Sequence, residues 1–245
     1  FLIFSRKQEF RYTGKWYQIN KNILREISDI ALPAIGTQMT SSFGYVVFAG
    51  LVSGMGTMIF SAHSIAVSAE TIVYIPGYGL SSATSAMIGV ALGERNYKKM
   101  QSILKISVSI TIGIMLVNGI LLYALADPFM QVFTNDDTVV RLGADMLKIV
   151  ALTEPFFGLM IAMQGGFYGM GRTRNVFLVE AFSMWGIRIV WTVLCVKIWH
   201  TDLAHVWYCM IADNICKAVL LTVSMLVAFP KMQRIQEVGG ESKNR

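Results

Sequence analysis

The chain has 245 residues, of which 54% are hydrophobic and only 15% are charged. A soluble domain of this size carries more charge, so the composition predicts an integral membrane protein and argues against a soluble enzyme or binding domain. The net charge is +6, but the basic residues are grouped in particular loops, and this distribution does not indicate nucleic-acid binding.

Residues 1–26 are expected to precede the first complete helix of this chain. Residues 1–4 are apolar and do not begin with Met, so we expect them to be the tail of a preceding transmembrane helix in a longer chain. The basic and aromatic residues that follow are typical of a segment at an anionic membrane surface. We predict a cytoplasmic connector over residues 1–26 that ends in a short interfacial helix; a lipid or partner site is the alternative.

Hydrophobic segments of about 20 residues, the length that spans a bilayer, occupy most of the remaining chain. They are residues 30–53, 57–81 (continuing as a straight or bent helix to about 92), 104–126, 147–170, 176–197 and 206–229. No alternating strand pattern competes with them. The predicted fold class is therefore all-α: a six-helix transmembrane bundle over residues 27–230, followed by a cytoplasmic tail over residues 231–245.

The loops between these segments alternate in charge. Lys and Arg are frequent in residues 95–105, in residues 172–174 and after residue 230, whereas the sequences SGMGT, DPFMQVFTNDD and KIWHTD are poor in both. The positive-inside rule predicts that the basic loops and both ends of the chain are cytoplasmic.

A nearly uncharged stretch, residues 63–93, carries Glu70 near its middle. On an ideal helix Glu70 shares one face with His63, Val67, Tyr74 and Gly77. Ionisable groups inside lipid are costly, so Glu70 is a candidate to exchange a proton; a structural hydrogen bond to a neighbouring helix is the alternative. His63 is expected near the outer surface, where solvation or packing is favoured over a functional role.

The last two segments carry opposite charges at matching depths. With a rise of about 1.5 Å per residue, Arg188 lies about 18 Å from the cytoplasmic side and Asp213 about 11 Å from the outer side. In a core about 30 Å thick the two side chains meet, so we predict a structural salt bridge that Lys217, one turn beyond Asp213, can share.

Two further carboxylates occur in apolar segments. Glu154 precedes Pro155, and a proline kink beside a carboxylate is a frequent form of ion site, although solvation at the outer end is the alternative. Glu180 is expected to reach the cytoplasmic interface. The sequence has no phosphate-binding loop, metal-ligand spacing or nucleophile motif, so we do not expect an enzyme or a cofactor.

Several stretches together resemble the multidrug and toxic compound extrusion (MATE) family. SAHSIAVSAETIVYIPGYGLSSATSAMIGVALGERNYKKM is similar to the family's eighth helix and following loop, although Val90 and Glu94 depart from its pattern. GGFYGMGRTR, MWGIRIVW and VWYCMIADNICKAVL resemble later motifs, with departures at Tyr168, Arg172 and Val190. The resemblance covers residues 28–230 and is specific in combination.

The resemblance implies one lobe, helices seven to twelve, of a two-lobe, twelve-helix antiporter. Such proteins export organic cations and drugs by alternating access, in exchange for protons or sodium. Some members have carboxylates where this chain has Ser41 and Phe157, so a proton scheme through Glu70 is favoured over a sodium site, with Glu154 tuning the field. The substrate-cleft candidates are His63, Tyr74, Phe43, Tyr45, Met160 and Met163.

The expected partners are the bilayer, an amino-terminal lobe of the same chain and small lipophilic cations, in the plasma membrane. Two other functions remain open on the sequence: a flippase for lipid-linked sugars, which requires a strongly cationic cleft, and a membrane scaffold without transport.

Overall fold

The computed structural model describes the backbone of residues 21–241 and the side chains of residues 21–229. Within this range the chain is all-helical, as the sequence predicts. It forms eight helices and no strand: α1 (Lys21–Ser53), α2 (Thr57–Gly93), α3 (Tyr97–Ala124), α4 (Ala126–Gln131), α5 (Asp137–Ala151), α6 (Glu154–Gly169), α7 (Thr173–Ile198) and α8 (Leu203–Glu241). The predictions for residues 1–20 and 242–245 lie outside the described residues.

Four of these helices, α2, α3, α7 and α8, are long and apolar enough to cross a membrane, and the bent pair of α5 and α6 makes a fifth candidate. The sequence predicts six spans, and the difference lies in α1. That helix has 33 residues, but its Thr, Ser, Gln and Gly residues dilute its apolar content. Its apolar side chains still point outward, for example Val46, which is 69% exposed.

Helix boundaries differ from the prediction in two places. α1 begins at Lys21 and runs unbroken, so the last residues of the predicted connector belong to the first long helix rather than to a separate interfacial one. The fourth predicted span is two helices, α5 and α6, that meet at an angle of 60°. The break at residues 152–153 comes just before Glu154, and Pro155 occupies the first turn of α6, where its missing N–H is not needed.

Helix α2 stays helical through Pro76 over its whole length of 37 residues. It packs against α3, α5 and α6, while α1 packs on α7 and α6 on α8. Close approach explains Gly77, where an added Cβ would lie 2.3 Å from Met115 Cε of α3. Hydrogen bonds fix the register: Asn118 donates to the carbonyl of Val73 at 2.9 Å, and Ser81 donates to the carbonyl of Ile161 at 3.0 Å.

The apolar interior consists of two clusters, one at each end of the bundle. One surrounds Trp207 and Leu147, and the other surrounds Ile161 and Leu221. Buried ionisable side chains lie where the clusters meet: on α8, residues up to 215 belong to the first cluster, residues from 218 belong to the second, and Lys217 stands between them. Helix α7 contains two π-helical turns, Phe182–Ile189 and Leu194–Ile198, a geometry that is frequent at functional sites.

Candidate functional site

Two cavities, lined by residues of α1, α2, α6, α7 and α8, lie one after the other along α2. The first, the apolar cavity, has a volume of about 450 Å³ and is lined mainly by aromatic and aliphatic side chains of residues 45–78, with Phe157 and Arg188. The second, the polar cavity, has a volume of about 670 Å³ and is lined by Gln38, Ser41, Ser81, Gln164, Glu180 and Lys217, among others. Tyr45, Tyr78, Phe157 and Asn214 line both.

Glu70 lies in the wall of the apolar cavity and is 4% exposed. Its Oε1 accepts a hydrogen bond from the hydroxyl of Tyr74, one helical turn further on. The Tyr74 ring stacks on Phe157 of α6, with 3.8 Å between the ring centroids. The face of α2 predicted from the sequence is thus turned inward, since His63, Glu70, Tyr74 and Gly77 are all buried. Whether Glu70 carries the exchanged proton remains a prediction.

Glu154 is 1% exposed, and neither of its carboxyl oxygens has a hydrogen-bond partner among the described residues. The alternative of a solvated carboxylate at the outer end is therefore wrong. The bend between α5 and α6 explains the burial, because it turns the first residue of α6 against α3, where an added Cβ on Gly119 would lie 3.2 Å from Glu154 Cβ. An ionised carboxylate without a partner is costly in such a place, so this group is suited to take up a proton or a cation.

His63 also lies deeper than expected. It is 4% exposed and is held edge-on between the rings of Phe48 and Trp207, at centroid distances of 5.4 Å and 5.9 Å. The solvated alternative is wrong, and packing describes its contacts. Its Nδ1 has no hydrogen-bond partner among the described residues, and the side chain contributes to the wall of the apolar cavity.

The predicted salt bridge between the last two spans is present in the structure. Arg188 Nη2 of α7 lies 2.7 Å from Asp213 Oδ2 of α8, and Lys217 Nζ lies 3.1 Å from the same oxygen. All three residues are at most 3% exposed. Arg188 also donates to Asn214 Oδ1 at 3.1 Å, and its guanidinium carbon is 5.1 Å from the centre of the Tyr45 ring. The predicted buried network therefore has the connectivity that helix depth indicates.

Glu180 does not reach the cytoplasmic membrane interface, and that expectation is wrong. It is 5% exposed, lies 2.9 Å from Lys217 Nζ and accepts a hydrogen bond of 2.6 Å from Ser41 of α1. The chain Arg188–Asp213–Lys217–Glu180 is thus a continuous row of alternating charges. A signal for it existed in the sequence, because Glu180 and Arg188 are eight residues apart and share a face of an ideal helix.

The substrate-cleft candidates divide into two groups. Tyr45, Tyr74 and Met160 line one or both cavities. Met163 instead lines a separate groove between α3 and α8, and Phe43, 59% exposed, lines neither of the two cavities. Residues two apart on a helix do not share a face, so Phe43 does not line the cavities beside Tyr45. The assignment of Phe43 and Met163 to the substrate cleft between the lobes stays a prediction.

Ionisable side chains buried between membrane-spanning helices, beside cavities and a broken helix, are typical of membrane transporters. Comparison with known families agrees: the MatE family model matches residues 33–194, and the chain belongs to this family.

Relatives and solved structures extend this result. The chain is 22% identical to a probable multidrug resistance protein NorM of Thermotoga maritima, over 98% of this chain and 53% of that protein, and 24% identical to its namesake in Photorhabdus laumondii, over 92% and 51%. A crystal structure of MATE in the bent conformation superposes with a TM-score of 0.85 at 17% identity, covering 94% of this chain and 51% of that one. The chain thus spans about half the length of the relatives it matches and corresponds to half of such a transporter.

Proposed function

We propose that this chain is the carboxyl-terminal lobe of a proton-coupled antiporter that exports lipophilic organic cations across the plasma membrane by alternating access. With the basic loops on the cytoplasmic side, both ends of the segment are cytoplasmic as well. The observation that supports the proposal most directly is the placement of Glu70, a buried carboxyl group in the wall of a cavity that several aromatic side chains line.

The apolar cavity offers a cation two kinds of attraction. The rings of Tyr45, Phe48 and Phe157 line it, and aromatic faces attract cations, most strongly where water is excluded. Glu70 adds a carboxyl group whose one hydrogen bond comes from neutral Tyr74. Arg188, the cation in the same wall, is paired with Asp213. A bound cation and a proton therefore compete for Glu70, and by linkage each lowers the affinity for the other, which is the requirement for antiport.

Glu154 is proposed to set the field in which Glu70 works. The two carboxyl groups interact electrostatically, so a proton or cation bound at one changes the energy of charging the other. Glu154 sits at the junction of α5 and α6, so a movement of that junction alters this interaction.

The flippase alternative receives less support. A diphosphate-binding cleft requires free cations, whereas Arg188 and Lys217, the cations in the cavity walls, are both held by carboxylates. Among the described residues the cavities therefore carry no excess of positive charge that would attract a diphosphate.

The test is coupled transport by the full-length protein in proteoliposomes, with Glu70→Gln, Glu70→Asp and the matched surface control Glu94→Gln. We expect a gradient of a dye cation to drive proton movement with the wild type and with Glu94→Gln. Glu70→Gln is expected to reduce it to the level of empty vesicles, and Glu70→Asp to retain part of it. Wild-type coupled flux in Glu70→Gln would show that Glu70 does not carry the coupling proton.

A further inference from the structure

The row of buried charges connects the two cavities. Arg188 lines the apolar cavity, and Glu180 and Lys217 line the polar cavity, with Asp213 between them. When all four groups are ionised their charges cancel. Arg188 interacts electrostatically with both Glu70 and Glu180. A change in the charge of Glu180, at one end of the row, therefore alters the electrostatic energy of Arg188 at the other end.

Glu180 differs from Asp213 in its access to the polar cavity. Asp213 is fully buried and lies in the wall of neither cavity, whereas Glu180 lies in the wall of the polar cavity, where Gln38, Ser81 and Gln164 provide further polar groups. Water in such a cavity can deliver a proton to Glu180 without breaking the Arg188–Asp213 pair. Glu180 is therefore the member of the row that can change its charge during a transport cycle.

A change in the charge of Glu180 affects several neighbouring groups on its own helix and on the helices around it. The charged or titratable groups that face it are Tyr45 of α1, Tyr78 of α2, Tyr168 of α6, Arg188 of its own helix, and Asp213 and Lys217 of α8. Only Lys217 pairs directly with it among the described residues, at 2.9 Å. Ser41 adds a charge-assisted hydrogen bond of 2.6 Å, which connects α1 to α7.

We propose that Glu180 is a second proton-exchanging carboxylate of this lobe and that Lys217 is the switch it controls. A proton from water in the polar cavity binds a Glu180 carboxyl oxygen and neutralises it. Lys217 is then held by Asp213 alone, the charge-assisted bond from Ser41 is weakened, and the row gains a net charge of one. This proposal rests on the antiport function proposed above, but not on the role of Glu70.

The rings that line both cavities explain how a substrate reaches this switch. Tyr45, Tyr78 and Phe157 form part of both walls, so a cation between them lies close to both carboxylates. A bound cation favours the ionised form of each carboxylate, and binding therefore releases protons from both. Glu70 and Glu180 thus act on the same ligand from opposite sides.

The test measures the affinity of the purified full-length protein for tetraphenylphosphonium as a function of pH. By linkage, the slope of log Kd against pH counts the protons released on binding. We expect Glu180→Gln to lower this slope by up to about one proton, Glu70→Gln to do the same, and the double variant to lower it by both amounts. Glu180→Asp is expected to restore the slope, and Glu94→Gln, in an exposed ion pair, to leave it unchanged.

The two proposals fail in different ways. A wild-type slope in Glu180→Gln, with a reduced slope in Glu70→Gln, overturns this inference alone. A reduced slope in Glu180→Gln with a wild-type slope in Glu70→Gln supports the inference and removes Glu70 from the coupling scheme. If Glu180→Gln does not fold, the double variant Glu180→Gln with Lys217→Met takes its place, because neutral replacement of both partners of a buried pair is tolerated better than loss of one. The same reduced slope is expected of the double variant, and a wild-type slope overturns the inference.

Discussion

At the scale of single residues, Asp213 holds two buried cations at once, with Arg188 at 2.7 Å and Lys217 at 3.1 Å. Loss of one partner from a buried ion pair leaves an uncompensated charge, which costs far more than the pair itself contributes. The stability of the bundle therefore depends on this carboxylate to an extent that its small size does not indicate.

Asp213→Asn is expected to lower the free energy of unfolding by about 3–5 kcal/mol. Thermal unfolding of the purified protein in detergent measures the effect, with Asp145→Asn, an exposed acid on α5, as the matched control. Arg188 is the cation that Asp213→Asn leaves without a carboxylate, because Lys217 keeps its pair with Glu180. An unfolding temperature of Asp213→Asn equal to that of the control would contradict the prediction.

At the scale of helices, the junction between α5 and α6 is held by a close approach of α3. An added Cβ on Gly119 would lie 2.5 Å from the carbonyl oxygen of Ala151, an atom of the main chain that cannot rotate away. The small residue is therefore needed for the bend that buries Glu154.

Gly119→Ala is expected to destabilise the protein by about 1–3 kcal/mol, because the junction must shift to accept the methyl group. Gly113→Ala is the matched control on the same helix, since an added Cβ there meets nothing within 4 Å, and it should be neutral or stabilise by up to about 1 kcal/mol. Denaturation of both variants measures the difference, and equal stabilities would contradict a close contact at Gly119.

The start of α8 is capped by Asp202, whose carboxylate pairs with His205 in the first turn of the helix. The hydrogen bond from the His205 side chain holds the pKa of Asp202 below its ordinary value of 3.8. Stabilisation from a lowered carboxylate pKa is present above the ordinary value and is lost as the pH falls through the lowered one.

Asp202→Ala is accordingly expected to reduce stability at neutral pH by less than about 1 kcal/mol, since both side chains are exposed and screened by solvent. The difference from the wild type should shrink below pH 3.8 and disappear at lower pH. Unfolding temperatures across this range measure it. A difference that grows on acidification would show that the carboxylate does not stabilise the folded state.

At the scale of the whole molecule, the loop charges predict which side of the membrane each connection occupies. A single Cys placed at Asn96 or Arg174 should react with an impermeant maleimide only after the cells are opened. A Cys at Asn135 or His200 should react in intact cells. The reverse labelling pattern would show that the topology is inverted and that the basic loops lie outside the cell. The native cysteines of this chain contribute little background, because Cys195 and Cys209 are buried and Cys216 is half-buried.

The sequence was a sufficient guide where regular geometry determines the outcome. Helical rise alone placed Arg188 beside Asp213, and helical spacing alone turned Glu70 inward. It failed where the path of a neighbouring helix decides: Glu154 is buried by a bend of 60°, and Glu180 by contacts from α1 and α8. Phe43 and Met163 line neither of the two cavities, since residue type alone does not give the direction of a side chain on its helix.

The neutral row of Arg188, Asp213, Lys217 and Glu180 also bears on how the membrane voltage acts on transport. If the lobe reorients as proposed, paired charges that move together carry no net charge through the electric field, so the row itself adds no voltage dependence to transport. A proton on Glu180 ends that balance, since one charge crossing the full field is worth about 2.3 kcal/mol for each 100 mV. Under the proposed antiport function, the electrical cost of a cycle is then set by the bound protons and by the transported cation, because the four ionised side chains of the row sum to zero.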